Sequence, residues 1–244
     1  LQEAQQIKRA ALGRLTASIA HNIRNPLSSV SHAGQLLAES HALGDEDLRL
    51  LAILRRNTGR INEIIESVMD LSRRDRGESK PLNLTTWLSD FCADYREVHG
   101  LPSERLRFLH ASEDVTVTAD PRHLHQILSN LCDNALQHAG HADEPPYVEL
   151  NARKDAAHGR VVVEVDDDGP GIPPDVAREI FTPFFTTSVK GTGLGLYIAK
   201  ELSEANGIQL EYISLQKQGS RFRLTFPDRT QGTSIPASEP RGTD

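Results

Sequence analysis

Apolar residues recur every three or four positions along the first 75 residues of this chain, in two runs. The first run extends from Leu12 to Leu37 and the second from Leu48 to Leu71, and a short polar break containing Gly44 separates them. This spacing predicts two long amphipathic helices joined as a hairpin. One hairpin cannot bury both apolar stripes alone, so we expect two copies to pair into a four-helix bundle.

A second pattern, of mixed strands and helices, begins after a charged segment that we interpret as a linker over residues 76–82. Residues 83–226 predict an α/β sandwich, in which one sheet is covered by helices. Residues 227–244 are rich in Pro, Gly, Ser and Thr, which predicts a disordered tail. The predicted helices are Thr86–Val98, Pro121–His138 and Gly193–Ala205, and the predicted strands are Leu106–Leu109, Val115–Thr118, Tyr147–Arg153, Val161–Val165, Gln209–Ile213 and Arg221–Phe226.

The predicted fold class is therefore α+β, with a helical hairpin over residues 1–75 that forms a dimeric four-helix bundle and an α/β sandwich domain after it. The composition fits two globular domains, with 244 residues, of which 38% are hydrophobic and 25% charged. A net charge of −7 argues against a nucleic-acid-binding protein. Cys92 and Cys132 lie in apolar helical patterns and predict reduced core thiols. Leu1 is not methionine, so we expect the chain to be a piece of a longer protein.

Three polar residues on the second predicted helix of the sandwich are spaced by four positions: Asn130, Asn134 and His138. They share one helix face. An amide oxygen is a good ligand for Mg²⁺, which usually keeps waters and phosphates among its ligands. Solvent-facing residues of an amphipathic helix show the same pattern, so these three residues alone do not identify a site.

Two further segments have the composition of a nucleotide site. Asp166, Asp167 and Asp168 end a predicted strand and precede a Gly-Pro-Gly turn, residues 169–171. A carboxylate there can accept a hydrogen bond from the amine of adenine, although acidic β-turns are also common. Residues 190–196 form a glycine-rich turn before a predicted helix, which suits a triphosphate. This turn lacks the spacing of a Walker loop or a dinucleotide fingerprint.

The order and spacing of the three segments resemble the ATPase superfamily shared by histidine kinases, gyrase, mismatch-repair ATPases and Hsp90-type chaperones. The resemblance implies ATP and Mg²⁺ as cofactors, with Asn134 as the magnesium ligand and Asp167 as the residue that reads adenine. Residues 180–187 resemble the phenylalanine-rich segment of the kinase branch, and residues 182–193 predict a lid that orders on nucleotide. The implied nucleotide-binding residues are Asn130, Asn134, His138, Asp167, Gly169, Gly171, Thr187, Lys190, Gly191, Thr192, Gly193, Leu194 and Gly195.

Residues 21–27 read HNIRNPL and resemble the phospho-acceptor motif of histidine kinases. A lone histidine on a helix is by default an ordinary surface or core residue. Here it lies in a dimerising hairpin upstream of an ATP-type site, and neutral imidazole is a good nucleophile near physiological pH. The resemblance implies His21 as the phospho-acceptor and assigns catalytic roles to Asn22, Arg24 and Asn25. Pro26 predicts a bend in the helix just after His21.

Asn22 departs from the family pattern, which has an acid directly after the histidine. An amide oxygen can accept a hydrogen bond from the imidazole, but it cannot take the proton. Loss of a general base typically costs ~10²–10⁴-fold in rate. We therefore expect weak autophosphorylation. Asn25 lies one helical turn after His21 and, by resemblance, serves a phosphatase activity that does not need the missing acid.

The leading interpretation is an ATP-dependent protein-histidine kinase that phosphorylates His21 and passes the phosphoryl group to an aspartate on a response-regulator receiver domain. The resemblance extends to kinases that drive enhancer-binding regulators of nitrogen or pilus genes, the NtrB/PilS-like branch. It implies a homodimer that lies in the cytoplasm. The longer parent protein is expected at the inner face of a bacterial membrane, anchored through a sensor portion that precedes this chain. The alternatives are a non-catalytic nucleotide-binding scaffold that holds a response regulator, and a chaperone or repair ATPase, which needs no histidine hairpin.

Overall fold

The structure of the chain, a computed structural model, describes residues 23, 27–38, 44–73, 77–109, 115–138, 147–155, 159–188, 191–215 and 219–228. The predicted acceptor residues His21, Asn22, Arg24 and Asn25 lie outside the described residues, and so do the predicted bend at Pro26, the predicted site residue Lys190 and residues 229–244 of the predicted tail.

Two helices form the N-terminal part, as the periodicity predicts. Helix α1 spans residues 27–38 and α2 spans Asp45–Arg73. Three acidic residues lie in the first turn of α2, where they complement the positive end of the helix dipole. Leu51, Thr58 and Ile65 are buried, and the Thr58 hydroxyl donates to the Leu54 carbonyl in its own helix.

Many other apolar side chains of these two helices are exposed in the single chain. Most of them follow the helical spacing of the predicted stripes, and exposed apolar residues grouped on helices in this way are characteristic of an interface. Those more than one third exposed are Val30, Leu36, Leu37, Leu48, Leu50, Ile53, Leu54 and Ile61, and Ile23, which precedes α1, is exposed to the same degree. The hairpin is therefore incompletely covered by its own chain. Among the described residues, no helix combines the length and apolarity needed to span a bilayer.

A five-stranded sheet forms the framework of the second part, in the order β2-β4-β5-β7-β6. Strands β2 and β4 are parallel and the other neighbours are antiparallel. A separate antiparallel pair joins β1 to β3. The strands are β1 (Lys80–Asn83), β2 (Leu106–Leu109), β3 (Thr116–Ala119), β4 (Val148–Lys154), β5 (Val161–Asp167), β6 (Gln209–Ser214) and β7 (Ser220–Thr225).

Helices α3 (Leu84–His99), α4 (Pro121–His138) and α5 (Gly195–Ala205) pack against the sheet, and a short 3-10 helix spans Val176–Arg178. The Asn83 side chain caps α3 by accepting a hydrogen bond from the Thr86 N–H at 3.1 Å. Buried residues from all three helices and from the strands form one apolar cluster, which includes Cys92 and Cys132. The predicted α/β sandwich and the core position of both cysteines are confirmed.

The two faces of the sheet differ in chemistry. Alternate residues of β5, such as Val163 and Val165, point into the apolar cluster. On the other face, Glu164 is only 1% exposed, because it is surrounded by the guanidinium groups of Arg153, Arg221 and Arg223 at 2.7 to 3.3 Å. A buried carboxylate is stable only when it is paired in this way. Charge pairing thus replaces apolar packing on the face without helices.

Two local predictions differ from the structure. Strand β1 was missed, and it begins within the predicted linker 76–82; the apolar content of KPLN is too low to mark a strand, and its pairing with β3 is non-local. The helix predicted from Gly193 begins at Gly195. Gly193 has φ 71°, a left-handed conformation that cannot continue a right-handed helix.

Asp120 joins three parts of the chain. Its carboxylate caps α4 by accepting hydrogen bonds from the N–H groups of Arg122 at 2.7 Å and His123 at 3.3 Å. The other oxygen accepts the Glu78 N–H at 2.5 Å, and the Asp120 N–H donates to Asn206 at the end of α5 at 2.9 Å. Burial by itself would raise the pKa of Asp120, but these N–H donors outweigh it and hold the pKa below its usual range.

We expect Asp120→Ala to lower the free energy of unfolding by about 1–3 kcal/mol at neutral pH, because the helix cap is lost and the N–H donors are left without their acceptor. The depressed pKa means that this contribution is present above the ordinary aspartate pKa and declines as the pH falls through the pKa of the folded state. Urea unfolding followed by circular dichroism measures it. Asp175→Ala is the control, since Asp175 precedes the 3-10 helix without a side-chain cap bond. Equal effects of the two substitutions would contradict the assignment.

Candidate functional site

A cavity of about 640 Å³ opens between α4, the loop after β5 and the segment that leads into α5. This volume is typical of a small-molecule site. Residues from α4, from the loop after β5, from the segment before α5 and from the start of β7 line it, so no single segment forms the site. The predicted residues that the structure brings together here are Asn130, Asn134, His138, Asp167, Gly171, Thr187, Gly191, Thr192, Gly193 and Gly195.

One wall of the cavity is the polar face of α4. Asn130, Asn134 and His138 follow one another along this face, as their spacing predicts. The Asn130 Nδ2 atom is buried and has no hydrogen-bond partner among the described residues, whereas Oδ1 accepts a hydrogen bond from Gln126 at 3.4 Å. A buried N–H group without an acceptor is costly. It therefore suits a ligand that brings an acceptor, such as a phosphate oxygen.

Asp167 ends the central strand β5 at the base of the cavity and is 6% exposed. Its Oδ1 atom accepts the N–H groups of Gly169 at 2.9 Å and Ser220 at 3.2 Å. A carboxylate has about four acceptor positions, so capacity remains for a ligand N–H. Burial raises the pKa of Asp167; the hydrogen bonds from Gly169 and Ser220 act against this, and the charge of Asp168 adds to it.

Gly169 allows the loop after β5 to approach the end of α4. A Cβ atom at this position would lie 2.6 Å from the His138 carbonyl oxygen, closer than real contacts allow. Any larger residue would therefore push the loop away from the wall that α4 provides. Gly169 itself is not among the cavity-lining residues, and its contribution is to this close packing.

The segment before α5 closes the cavity on the side where a triphosphate is predicted. The Gly193 carbonyl accepts the Phe184 N–H at 2.8 Å, and a Cβ atom at Gly193 would lie 2.4 Å from the Phe184 carbonyl carbon. Gln137 of α4 donates to the Ser188 hydroxyl at 2.6 Å. Helix α5 begins next to the cavity, so its N-terminal N–H groups suit an anion.

Helix α2 also reaches this segment. The Arg60 guanidinium donates to the Gly191 carbonyl at 3.1 Å, and α2 contacts α5. Phe184 is 64% exposed and has a positive φ of 67°. The predicted lid residues Thr187, Gly191, Thr192 and Gly193 thus line the cavity, while part of the same segment faces the hairpin.

Several cavity-lining residues were not among the predicted nucleotide-binding residues: Asp133, Gln137, Pro170, Ile172, Pro173, Val176, Ile180, Phe185, Thr186, Leu196 and Ser220. Asp133 and Gln137 lie on the predicted helix, so a helical projection extended beyond every fourth residue could have found them. Ser220 has no local signal, because its place depends on the pairing of Ser220 with Asp167 across β7 and β5. Leu194, which was predicted to bind the cofactor, packs in the apolar cluster and is 2% exposed.

Two family models match the chain, one for each part. The model for histidine kinase-, DNA gyrase B- and HSP90-like ATPases matches residues 119–230. The model for the His Kinase A (phospho-acceptor) domain matches residues 11–77. The order of the two matches is that of the predicted hairpin and the predicted ATP-binding domain.

Known proteins with similar sequences are sensor kinases. The chain is 44% identical over 225 residues to the sensor protein kinase PilS of Pseudomonas aeruginosa. The aligned region covers 92% of the chain and 42% of PilS. It is 32% identical over 235 residues to the sensor histidine kinase ZraS of Escherichia coli O157:H7, and this aligned region covers 96% of the chain and 49% of ZraS. The chain thus spans less than half the length of these relatives.

Solved structures agree with the sequence relatives. Full-length ShkA in complex with AMPPNP superposes with a TM-score of 0.67 and 27% identity, over 88% of this chain and 45% of that one. The catalytic domain of the histidine kinase ThkA superposes with a TM-score of 0.51 and 28% identity, over 62% of this chain and 95% of that one. With both family models matched in this order, the chain belongs to the sensor histidine kinases of two-component systems, in the branch that includes PilS.

Proposed function

We propose that the chain is the catalytic region of a sensor histidine kinase that transfers the γ-phosphoryl group of ATP to His21 and then to an aspartate of a response regulator. The observation that carries the proposal is the buried acceptor Asp167 at the base of a nucleotide-sized cavity, in a chain whose N-terminal part matches the phospho-acceptor family. The imidazole of His21 attacks the γ-phosphorus, and the bond from that phosphorus to the bridging oxygen of ADP breaks.

Each wall of the cavity has a part in this reaction. Asp167 accepts a hydrogen bond from the adenine amine, and Asn130, the glycine-rich segment and the start of α5 hold the phosphates. Asn134 would hold Mg²⁺, whose chemistry when bound is to neutralise charge on the phosphates. The residues fit a magnesium–nucleotide complex, because the Asn134 amide offers an oxygen for the metal and the buried Asn130 Nδ2, on the same helix face, can donate to a phosphate.

The functional unit is a homodimer in which the exposed apolar stripes of α1 and α2 cover each other in a four-helix bundle. The support is the row of exposed large apolar residues along both helices of the single chain. The partner that takes the phosphoryl group is the receiver domain of a response regulator. The parent protein acts at the inner face of a bacterial membrane, with this region in the cytoplasm, where ATP and the regulator are present.

Asn22 distinguishes this chain from the usual acceptor pattern. It favours two related possibilities: a kinase that is weak in autophosphorylation and stronger as a phosphatase, and a phosphatase-only or non-catalytic scaffold that binds nucleotide and holds the regulator. We favour the first, because Asp167, Asn134 and the glycine-rich segment retain the chemistry of nucleotide use.

Transfer of γ-labelled phosphate from Mg-ATP tests the proposed function. We expect Asn22→Glu to incorporate label at least about 100-fold faster than the original chain, since it restores a general base. His21→Gln is the blank and should take no label. Equal labelling of the original chain and Asn22→Glu would refute the role of position 22. Absence of label in both, with ATP still bound, would favour the scaffold.

Dephosphorylation of a phosphorylated receiver domain tests the second activity. We expect the original chain to accelerate loss of phosphate and Asn25→Ala to reduce that acceleration at least about tenfold, because the amide that orients the attacking water is removed. Asn57→Ala provides a matched control, since Asn57 is exposed on α2 and its amide donates to Ile53 in its own helix. A rate that is unchanged in Asn25→Ala would refute the phosphatase role.

Nucleotide affinity should depend on the protonation of Asp167. The raised pKa means that Asp167 protonates at a higher pH than an ordinary aspartate, so ADP affinity should be constant above this pKa and decline as the pH falls through it. Asp167→Asn should weaken ADP binding roughly 10- to 100-fold at neutral pH and remove this pH dependence. Calorimetric titration measures both. Asp168→Asn is the control: Asp168 accepts the Tyr147 N–H, and the substitution should keep the affinity at neutral pH. Because the charge of Asp168 adds to the raised pKa of Asp167, the affinity of this variant should begin to decline at a lower pH.

A further inference from the structure

Tyr212 on β6 does not line the cavity, yet its hydroxyl holds a residue that does. The hydroxyl oxygen accepts the Ile172 N–H at 3.1 Å and the hydroxyl donates to the Ile172 carbonyl at 3.3 Å. Both hydrogen-bonding capacities are thus used on the backbone of one residue. Ile172 lines the cavity in the loop that follows Asp167. A side chain outside the site therefore sets the position of part of its wall.

This loop, residues 168–175, has neither helix nor strand to hold it. Its start is attached to β7, because Asp167 accepts the Ser220 N–H at 3.2 Å. Its middle is attached to β6, through Tyr212 and Ile172. Pro170 and Gly171, which lie between the two attachments, also line the cavity. The distance between Asp167 and Ile172 across the cavity is therefore set by β7 and β6, which are neighbours in the sheet.

The phenol is itself held by rigid packing. Its ring lies 5.7 Å from the ring of Phe222 with an angle of 53° between the planes, and Phe222 is fully buried. Phe222 meets Phe181 edge-on at 6.4 Å. Phe181 belongs to the phenylalanine-rich segment that precedes the lid. Because this packing restricts the Tyr212 ring, its hydrogen bonds to Ile172 fix the position of the loop relative to β6.

We propose that Tyr212 is a positioning residue for the adenine base, which it keeps within hydrogen-bonding reach of Asp167 by fixing Ile172. This inference rests on the proposed function, since it assumes that adenine occupies the space between these two residues. Guanine presents a carbonyl oxygen where adenine presents an amine, and the Asp167 carboxylate repels that oxygen. Tyr212 therefore contributes to discrimination between the bases as well as to affinity.

Titration of ADP and GDP into the chain, Tyr212→Phe and Tyr147→Phe tests this role. Tyr212→Phe removes one oxygen atom and keeps the ring packed on Phe222. We expect its ADP affinity to fall roughly three- to tenfold, the range for one net hydrogen bond, with a smaller fall for GDP. Tyr147→Phe removes the same atom from a ring that lies beside the Arg107 guanidinium, and it should bind as the original chain does.

The titrations distinguish failure of the role of Tyr212 from failure of the proposed function. The titrations are made well below the melting temperature of every variant, where a general loss of stability leaves the affinity of the folded protein unchanged. Unchanged ADP affinity and selectivity in Tyr212→Phe, with normal binding by the original chain, would overturn the inference alone. An equal loss in Tyr147→Phe would do the same. Failure of the original chain to bind ADP would overturn the proposed function and this inference with it.

Discussion

A carboxylate buried at the end of the central strand is the constraint on which the site depends. Removal of Asp167 from water disfavours its charged form, as its raised pKa shows, and the backbone must supply donors to hold it. The donors are the N–H groups of Gly169 and Ser220, which come from different segments. They reach the same oxygen only when β5 and β7 pair with Asp167 opposite Ser220. A slip of one residue would remove a donor and turn Asp167 to the other face.

The same register organises the opposite face of the sheet. Glu164 lies three residues before Asp167 and so points away from the helices, where three arginines from β4 and β7 surround it. A shifted register would leave this carboxylate buried without partners, which is strongly unfavourable. Two buried carboxylates on opposite faces of β5 therefore favour one pairing of the central strands, and that pairing places the base of the cavity.

Among the described residues, polar contacts join the hairpin to the sandwich domain. Arg60 of α2 donates to the Gly191 carbonyl in the segment that closes the phosphate side of the cavity. Asp120 attaches the Glu78 backbone, just after α2, to the start of α4. Helix α4 in turn carries Asn130 and Asn134 on the cavity wall. In the described part of the chain, these polar contacts connect α2 and the residues just after it to the segment that closes the cavity and to the start of α4.

Local sequence determined most of the elements and most of the predicted site. Periodicity located the hairpin and helices α3 and α4, because burial of one helix face dictates the spacing of apolar residues. Asn130, Asn134, Asp167 and the glycines were recognisable from the order and spacing of three segments that resemble one ATPase superfamily, and the structure brings most of them to one cavity. Strand β1, the cavity-lining Ser220 and the contact of Tyr212 with Ile172 were not recognisable in this way. Each depends on pairing or packing between segments far apart in the chain, and such non-local contacts leave no periodic signal in the sequence.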